Sequence, residues 1–280
     1  MNFAIIAIVK YEEKYIVDWL DWHIKIGVNH FYLYDDNDED YVPKLEPIIK
    51  NYIDDGIVTL LNKNDFEEFL DLRGPHKDNS PDHKKQVNKQ MNVYTHFFNK
   101  YKHLHDYIGF FDIDEYIKIP NEKYIGPFLE KYEKYSIFYL WWHFYINENI
   151  YNKDSIFKQI KECKEYQFTN AERSKLRYRR NKYILNCKKF KNEKVLLDSP
   201  HIIPSKYIKK DALKIFNDKE AYLIHYKYKS LTDFIDKLLG KYYKGKKYEI
   251  NDVIKEYSII NNVTDNMKKY LLENYNYKYE

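Results

Sequence analysis

The sequence predicts an α/β fold in which helices flank a mostly parallel sheet. Apolar runs of strand length alternate with segments of helical spacing, acidic residues follow two of these runs, and glycines close two of the helical segments. A chain of 280 residues with 44% hydrophobic residues can bury a sizeable core. We expect one large domain over residues 1–245 and a helical extension of that domain over residues 246–280.

The first part of the chain alternates strands with helices. The predicted elements are, in order, a strand at 3–9, a helix that ends at Gly27, a strand at 28–34, a helix over 47–53 that ends before Gly56, and a strand at 57–61. This order is typical of βαβ units, in which the strands run parallel and ligands bind beyond their carboxyl ends.

The later part of the chain continues this alternation around a basic segment. Polar residues and proline turns predict a long binding loop or an insertion over 62–85. Beyond it we expect a helix over 84–100, a strand beginning at Tyr107, an aromatic strand at 137–146, a strand at 221–226 followed by a helix, and a helical tail. Residues 147–200 lose periodicity and become basic, and we interpret them as a basic insertion.

An acidic pair follows the strand that begins at Tyr107. A short, mostly apolar run leads into Asp112 and Asp114, which are separated by Ile113. If the strand geometry continues, the two carboxylates share one face, where they repel each other unless a hard divalent cation binds them. The pattern indicates a site for Mn²⁺ or Mg²⁺, and the alternative is a strand that ends in a solvated acidic turn.

The charge balance limits the classes of partner. With 47 Lys and Arg against 43 Asp and Glu, a net charge of +4 does not indicate a nucleic-acid-binding protein. The basic insertion could hold phosphates or an acidic partner, although a charge run is usually a solvated face. Its main cluster of basic residues is Arg173, Lys175, Arg177, Arg179, Arg180, Lys182, Lys188, Lys189, Lys191 and Lys194.

The expected cellular compartment follows from two cysteines and one short apolar run. Cys163 and Cys187 have no CxxC spacing, which argues against a zinc site or a disulfide framework and favours a reducing compartment. The apolar run at 2–9 is too short to span a bilayer and follows no basic segment. We therefore expect a cytoplasmic protein with no transmembrane segment.

Several motifs occur in an order that is found in a known enzyme family. They are Lys10-Tyr11-Glu12, Tyr15-Ile16, Asp18-Trp19-Leu20, His23, Gly27-Val28, His30-Phe31-Tyr32, Tyr34-Asp35, Gln90 with Tyr94, Phe111-Asp112-Ile113-Asp114-Glu115-Tyr116, and His225-Tyr226 with Lys229-Ser230 and Gly240. Together they resemble glycosyltransferase family 92 and the related family 2-like transferases over residues 3–118 and 221–240. Four positions depart from the family pattern: Tyr11, Asp18, Asp36 and Asp38.

The resemblance implies a GT-A fold, a Rossmann-like and mostly parallel sheet flanked by helices with a C-terminal helical extension. It implies a hexosyltransferase that moves a sugar from a nucleotide-sugar, with UDP-galactose as the expected donor, to a glycan, glycoprotein or glycolipid acceptor with inversion. Mn²⁺ or Mg²⁺ would bridge the diphosphate, held by Asp112, Asp114 and His225. The expected nucleotide-sugar contacts are Lys10, Glu12, Asp35, Gln90 and Asp112.

An inverting transfer needs a carboxylate that takes the proton of the attacking hydroxyl. We expect this base to be Glu148, just beyond the aromatic strand, with Glu115 and Asp198 as alternatives. His143, inside the aromatic strand, is expected to lie in the core.

Three other interpretations stay open. A phosphatase of the haloacid dehalogenase type also carries two aspartates after an apolar strand, but Glu115 and Tyr116 stand where a small hydroxyl residue is usual. A polyanion-binding protein would use the basic insertion and its tyrosines. An inactive transferase-like scaffold is compatible with the departure at Tyr11.

Overall fold

The structure is a computed structural model, and it describes residues 1–40, 42–62, 81–146, 149–151, 154–162, 164–165, 181–208, 212–236 and 264–275. The chain forms two compact units, each built from two segments. The first unit contains Met1–Trp142 and Asn170–Leu223, and the second contains His143–Thr169 and Ile224–Glu280. Because the chain changes unit inside two strands, neither unit is a continuous piece of sequence, and the domain division at residue 245 stays a prediction.

The described residues form alternating strands and helices. The strands are β1 (Phe3–Val9), β2 (His30–Asp35), β3 (Val58–Leu61), β4 (Tyr107–Phe110), β5 (Glu115–Lys118), β6 (Ile137–Ile146), β7 (Lys164–Glu165), β8 (Asn181–Asn186), β9 (Leu213–Ile215) and β10 (Tyr222–Tyr228). The helices are α1 (Ile16–Lys25), α2 (Leu45–Ile48), α3 (Lys50–Asp54), α4 (Pro81–Tyr101), α5 (Ile125–Glu130), α6 (Ile156–Glu162), α7 (Leu231–Asp236) and α8 (Asp265–Tyr275). None of these described helices is long and apolar enough to cross a membrane.

The described pairings of the sheet in the first unit include a parallel part and an antiparallel strand, β8. Strands β1 to β4 run parallel in the order β3-β2-β1-β4. Strand β8 pairs antiparallel with both β4 and β6, and β9 joins β6 in parallel. The predicted α/β fold, with helices flanking a mostly parallel sheet, is confirmed. Strand β8 lies within the residues that we interpret as a basic insertion, and that interpretation stays a prediction.

The strand register determines which residues meet at the carboxyl edge of the sheet. Strands β1 and β2 end together, since Val9 pairs with Asp35. Strand β8 runs against β4, with Gly109 paired to Ile184, so the first residues of β8 lie beside the end of β4. The carboxyl ends of the parallel strands and the amino end of β8 therefore share one edge.

Helix α1 holds β5 through hydrogen bonds from buried side chains. The Trp19 indole N–H donates to the Glu115 carbonyl at 2.9 Å. His23 Nδ1–H donates to the Trp19 carbonyl at 2.8 Å, and His23 Nε2 accepts from the Ile117 N–H at 3.3 Å. A carbonyl can only accept and an amide N–H can only donate, so His23 is held as the neutral, Nδ1-protonated tautomer.

The second unit contains short paired segments of its own. The end of β6 pairs antiparallel with β7. His143, which the sequence predicts in the core, is 12% exposed, and its Nδ1 lies 2.7 Å from Glu165 Oε1. Ser230 Oγ accepts from the Asp233 N–H at 3.1 Å, which caps the start of α7.

Two predicted elements differ from the structure. Strand β4 ends at Phe110, and residues 111–114 separate it from β5, so the apolar run does not continue as a strand through the acidic pair. The loop predicted over 62–85 ends earlier than expected, because α4 begins at Pro81. The rest of that loop, residues 63–80, lies outside the described residues.

Candidate active site

Residues Asp112–Glu115, named here the acidic turn, connect β4 to β5. Two hydrogen bonds close the turn. The Glu115 N–H donates to the Asp112 carbonyl at 3.1 Å, and the Asp112 N–H donates to Glu115 Oε2 at 2.9 Å. The Asp112 side chain is 39% exposed, whereas Asp114 and Glu115 are buried. From the sequence we expect Asp112 and Asp114 to share one face only if the strand continues through them. The strand does not continue, because a turn replaces it at these residues.

A buried lysine faces the acidic turn from β8. Lys182 is fully buried, and its Nζ lies 2.7 Å from Asp112 Oδ2 and 3.8 Å from Glu115 Oε1. Within the described residues, Glu115 Oε1 is a buried oxygen with no hydrogen-bond partner. The lysine reaches this position because β8 is antiparallel to β4 and enters the sheet where β4 leaves it.

Helix α4 presents two side chains to the other oxygen of Asp112. Gln90 Nε2 lies 3.2 Å from Asp112 Oδ1, and the Tyr94 hydroxyl lies 3.4 Å from the same oxygen. Gln90 Nε2 also donates to the Tyr94 hydroxyl at 3.0 Å. Residues four apart lie on the same face of a helix, which explains how both reach one carboxylate. The structure thus brings together three residues that the sequence motifs single out.

Burial and neighbouring charges set the protonation of this cluster. Burial raises the pKa of Glu115 well above its usual range, with Lys182 opposing the shift and Asp112 adding to it. For Lys182, burial acts to lower the pKa, but the Asp112 and Glu115 carboxylates outweigh burial and raise the pKa. The two carboxylates therefore favour the charged form of the Lys182 ammonium.

A second group of charged residues lies at the ends of β1 and β2. The β2 loop, residues 36–40, begins with Asp36, whose carboxylate pairs with Lys10 at 3.6 Å and with Lys89 of α4. These lysine side chains are 29% and 27% exposed, respectively. The Lys89 ammonium also lies 5.3 Å from the centre of the Tyr34 ring. Asp36 of the β2 loop is therefore paired with two partly exposed cations.

Tyr11, which departs from the family pattern, holds the β2 loop in place. Its backbone has a positive φ of 57°, and its N–H donates to Asn37 Oδ1 at 2.7 Å. Its hydroxyl donates to Asp38 Oδ2 at 2.5 Å. The Asn37 N–H in turn donates to Asp35 Oδ1 at 3.0 Å. Two departures from the family pattern, Tyr11 and Asp38, are thus joined by a hydrogen bond.

The other predicted site residues differ in their burial. Glu12 is buried just after β1, and Asp198 is exposed. His225 is buried in the second unit, where its ring centre lies 4.7 Å from that of Phe144. Outside the described residues lie Glu148, Cys163, Gly240 and the basic residues between 166 and 180.

Lys182 is the residue of this site whose place the sequence does not predict. The sequence indicates it only as one member of a basic run, and the structure makes it the internal partner of Asp112. The apolar run at 183–185, directly after it, is the signal that could have identified a buried strand here.

The solved structures to which this chain is similar are distant from it. S. aureus TarS 1-349 is 16% identical, with 81% of this chain and 60% of that chain covered and a TM-score of 0.42. Its complex with UDP is 13% identical, with 98% and 70% covered and a TM-score of 0.40. Glucosyl-3-phosphoglycerate synthase from Mycobacterium tuberculosis, with Mn²⁺, UDP and glucosyl-3-phosphoglycerate, is 11% identical, with 76% and 68% covered and a TM-score of 0.36. The chain thus spans 60% of the length of the TarS 1-349 structure.

Sequence comparison gives a family but no individual relative. No curated protein matches the chain. The family described as Glycosyltransferase family 92 matches residues 6–279, which is nearly the whole chain. The match includes the acidic turn, the β2 loop, Gln90 and His225, and it confirms the resemblance seen in the motifs. The chain therefore belongs to glycosyltransferase family 92.

Proposed function

We propose that this chain is a metal-dependent glycosyltransferase that moves a sugar from a UDP-sugar to a hydroxyl group of a glycan, glycoprotein or glycolipid. UDP-galactose is the first donor to test, and inversion at the anomeric carbon is the expected outcome. The observation that carries the proposal is the acidic turn at the carboxyl edge of the sheet, in a chain of this family. Open α/β sheets bind their ligands at this edge.

The residues of the acidic turn fit a hard divalent cation. Asp112, Asp114 and His225 are the proposed ligands. Glu115 Oε1, which has no hydrogen-bond partner within the described residues, is a further oxygen that could bind the cation. Asp114 and Glu115 are buried in the first unit, and each offers a carboxylate oxygen that can ligate a metal. Carboxylate and imidazole ligands together suit Mn²⁺, while Mg²⁺ prefers oxygen. When bound, the cation would neutralise the charge that develops on the leaving diphosphate.

The nucleotide-sugar contacts that we propose combine both charged regions. They are Lys10, Glu12, Asp35, Gln90 and Asp112, to which the structure adds Lys89. Lys10 and Lys89 are partly exposed and share a single carboxylate, Asp36, so either can turn to a phosphate oxygen without leaving a buried charge unpaired. Asp35 is the last residue of β2, and Glu12 follows the adjacent strand β1. Acids at such strand ends can accept hydrogen bonds from a ribose.

Glu148 is the base that we propose for the acceptor hydroxyl. An inverting transfer needs a carboxylate within hydrogen-bond reach of that hydroxyl. Glu115 is poorly suited, because it is fully buried and its Oε2 already accepts from the Asp112 N–H. In the sequence, Glu148 follows Ile146, the last residue of β6, by two positions.

Transfer assays with the purified chain, a panel of UDP-sugars and Mn²⁺ test the proposal. We expect turnover with one donor and loss of turnover on chelation. Asp114→Asn should lower turnover by about 100-fold or more, the usual scale for removing a group that stabilises developing charge. Asp54→Asn is the matched control and should keep full turnover, because Asp54 is an exposed carboxylate paired with Lys50 on α3.

Ligand-induced stabilisation separates the proposed function from its rivals. A donor at about 100 times its Kd should raise the free energy of unfolding by about 2.7 kcal/mol in the presence of Mn²⁺. If no donor stabilises the chain, the inactive scaffold is favoured. Salt-sensitive polyanion binding that survives Asp112→Asn and Asp114→Asn would favour the polyanion-binding protein. A covalent phosphoenzyme would favour the phosphatase.

A further inference from the structure

Lys182 is a charged side chain with no exposed surface. Its ammonium lies 2.7 Å from Asp112 Oδ2 and 3.8 Å from Glu115 Oε1, and Glu115 is also fully buried. Moving an ammonium out of water costs several kcal/mol unless nearby charges and hydrogen bonds compensate. A lysine in a core position therefore indicates that the surrounding carboxylates need a cation there.

The geometry around Asp112 shows what this cation does. Lys182 engages Oδ2, while Gln90 and Tyr94 lie near Oδ1, so the carboxylate is held from both sides. The same turn uses the Glu115 carboxylate to accept the Asp112 N–H. Without a cation, the proximity of the two acids on which the turn depends would disfavour the charged form of each.

We propose that Lys182 is a positioning residue, a built-in counter-cation that assembles the acidic turn before any divalent cation binds. In this arrangement the turn has the same shape with and without metal, and the Asp112 carboxylate is already oriented when substrate arrives. The inference deepens the proposed function and rests on it only for the identity of the divalent cation. Lys182 acts through Asp112 and Glu115.

Hydrogen exchange at the turn tests the inference directly. The Asp112 and Glu115 amides both donate within the turn, so their exchange rates report whether it is formed. In metal-free wild-type chain we expect both to be protected, with little change on adding Mn²⁺. In Lys182→Met we expect exchange about tenfold faster or more without metal, and recovery of protection when Mn²⁺ alone is added.

Two further variants separate charge from packing. Lys182→Arg keeps the cation and should retain more metal-free protection than Lys182→Met. Lys214→Met removes another lysine of the first unit, one that lies 2.7 Å from Glu220, and should leave exchange at the acidic turn unchanged. If Lys182→Met keeps full metal-free protection, or loses protection that Mn²⁺ does not restore, the lysine only fills space and the inference is wrong.

A double variant keeps the test decisive if Lys182→Met does not fold. Lys182→Met with Glu115→Gln removes the buried cation together with a buried acid, so it should fold where Lys182→Met does not, or melt at a higher temperature than Lys182→Met if both fold. A double variant that is no more stable than the single one would overturn the inference. The metal-free measurements need no donor or turnover, so they can fail or succeed independently of the transferase assay.

Discussion

The acidic turn and the β2 loop place carboxylates at the same edge of the sheet but neutralise them differently. At the acidic turn, one lysine with no exposed surface lies 2.7 Å from Asp112. At the β2 loop, Lys10 and Lys89 share Asp36 and stay 29% and 27% exposed. A buried cation that loses its partner cannot be rehydrated, whereas a partly exposed cation can exchange its partner for a phosphate. The two regions therefore differ in the burial of the counter-cation rather than in the number of acids. A buried lysine fixes the acidic turn, whereas the partly exposed lysines beside the β2 loop can change partner.

The largest effect should follow from disturbing the packing under the acidic turn. A Cβ atom added at Gly109 of β4 would lie 2.3 Å from Phe111 Cε2, and the Phe111 ring is fully buried and cannot swing into solvent. We expect Gly109→Ala to lower the free energy of unfolding by about 1–3 kcal/mol, the usual cost of overpacking. Because Phe111 precedes Asp112, turnover should fall as well. Denaturant titration and transfer assays measure the two effects.

Gly126→Ala is the matched control for this substitution. Its nearest obstacle is the flexible end of Met1, at 3.3 Å, and the added methyl group also favours helix α5. We expect a change in stability of less than about 1 kcal/mol and normal turnover. If Gly109→Ala changed stability and turnover as little as Gly126→Ala does, the packing under the acidic turn would not be rigid. The proposed difference between the acidic turn and the β2 loop would then be wrong.

An intermediate effect should follow from acid, through the helix that holds β5. Burial lowers the pKa of His23 to about 3, and protonation would abolish its Nε2 bond to the Ile117 N–H. The unfolded chain has the ordinary histidine pKa and binds the proton first, so stability is lost as pH falls below about 6.5. Between about pH 7 and about pH 5 we expect His23 to cost about 2 kcal/mol of folding stability.

Replacing His23 measures how much this residue contributes to the loss of folding stability at low pH. His23→Gln should be less stable at neutral pH but should lose less stability between about pH 7 and about pH 5, by the amount assigned to His23. His30 and His105 also have pKa values lowered by burial, and they contribute equally to both proteins. Equal slopes of stability against pH in the two proteins would show that α1 does not hold β5 through the neutral imidazole.

Much of the parallel part of the sheet could be predicted from the sequence. β-Branched and aromatic runs of strand length, each followed by a break, are a local signal, and β1, β2 and β3 appear close to the predicted positions. The i,i+4 spacing of Gln90 and Tyr94 likewise predicts that both lie on one face of α4. These signals succeed because they depend on residues that are near one another in the sequence.

The contacts that complete the site depend on residues far apart in the sequence. Lys182 meets Asp112 from 70 positions away through an antiparallel pairing, and no local pattern encodes that pairing. The turn at Asp112 has the alternating pattern of a strand, yet the hydrogen bonds between Asp112 and Glu115 close it instead. Burial decides whether a lysine in a basic run is a solvated residue or an internal counter-cation, and burial is a property of the folded chain.

The smallest effect on stability, with a clear effect on binding, should come from the two lysines that pair with Asp36 of the β2 loop. Lys10→Met and Lys89→Met should each change the free energy of unfolding by less than about 1 kcal/mol, because both lysines are partly exposed. Their affinity for UDP should nevertheless fall by about tenfold at low ionic strength, since each charge-assisted hydrogen bond to a phosphate contributes about 1.5 kcal/mol. Calorimetric titration with UDP and Mn²⁺ measures the affinity.

Salt dependence gives the final distinction between the two regions. The loss of UDP affinity in the Lys10→Met and Lys89→Met proteins should shrink as added salt shortens the Debye length from about 30 Å to about 10 Å, because partly exposed charges are screened. Lys50→Met, which removes an exposed lysine from an ion pair on α3, is the control and should bind UDP normally. If the two lysine variants bound UDP like the wild type but lost several kcal/mol of stability, the β2 loop would be a framework like the acidic turn. The partly exposed cations would then serve the fold, and the phosphate-binding surface would have to lie elsewhere.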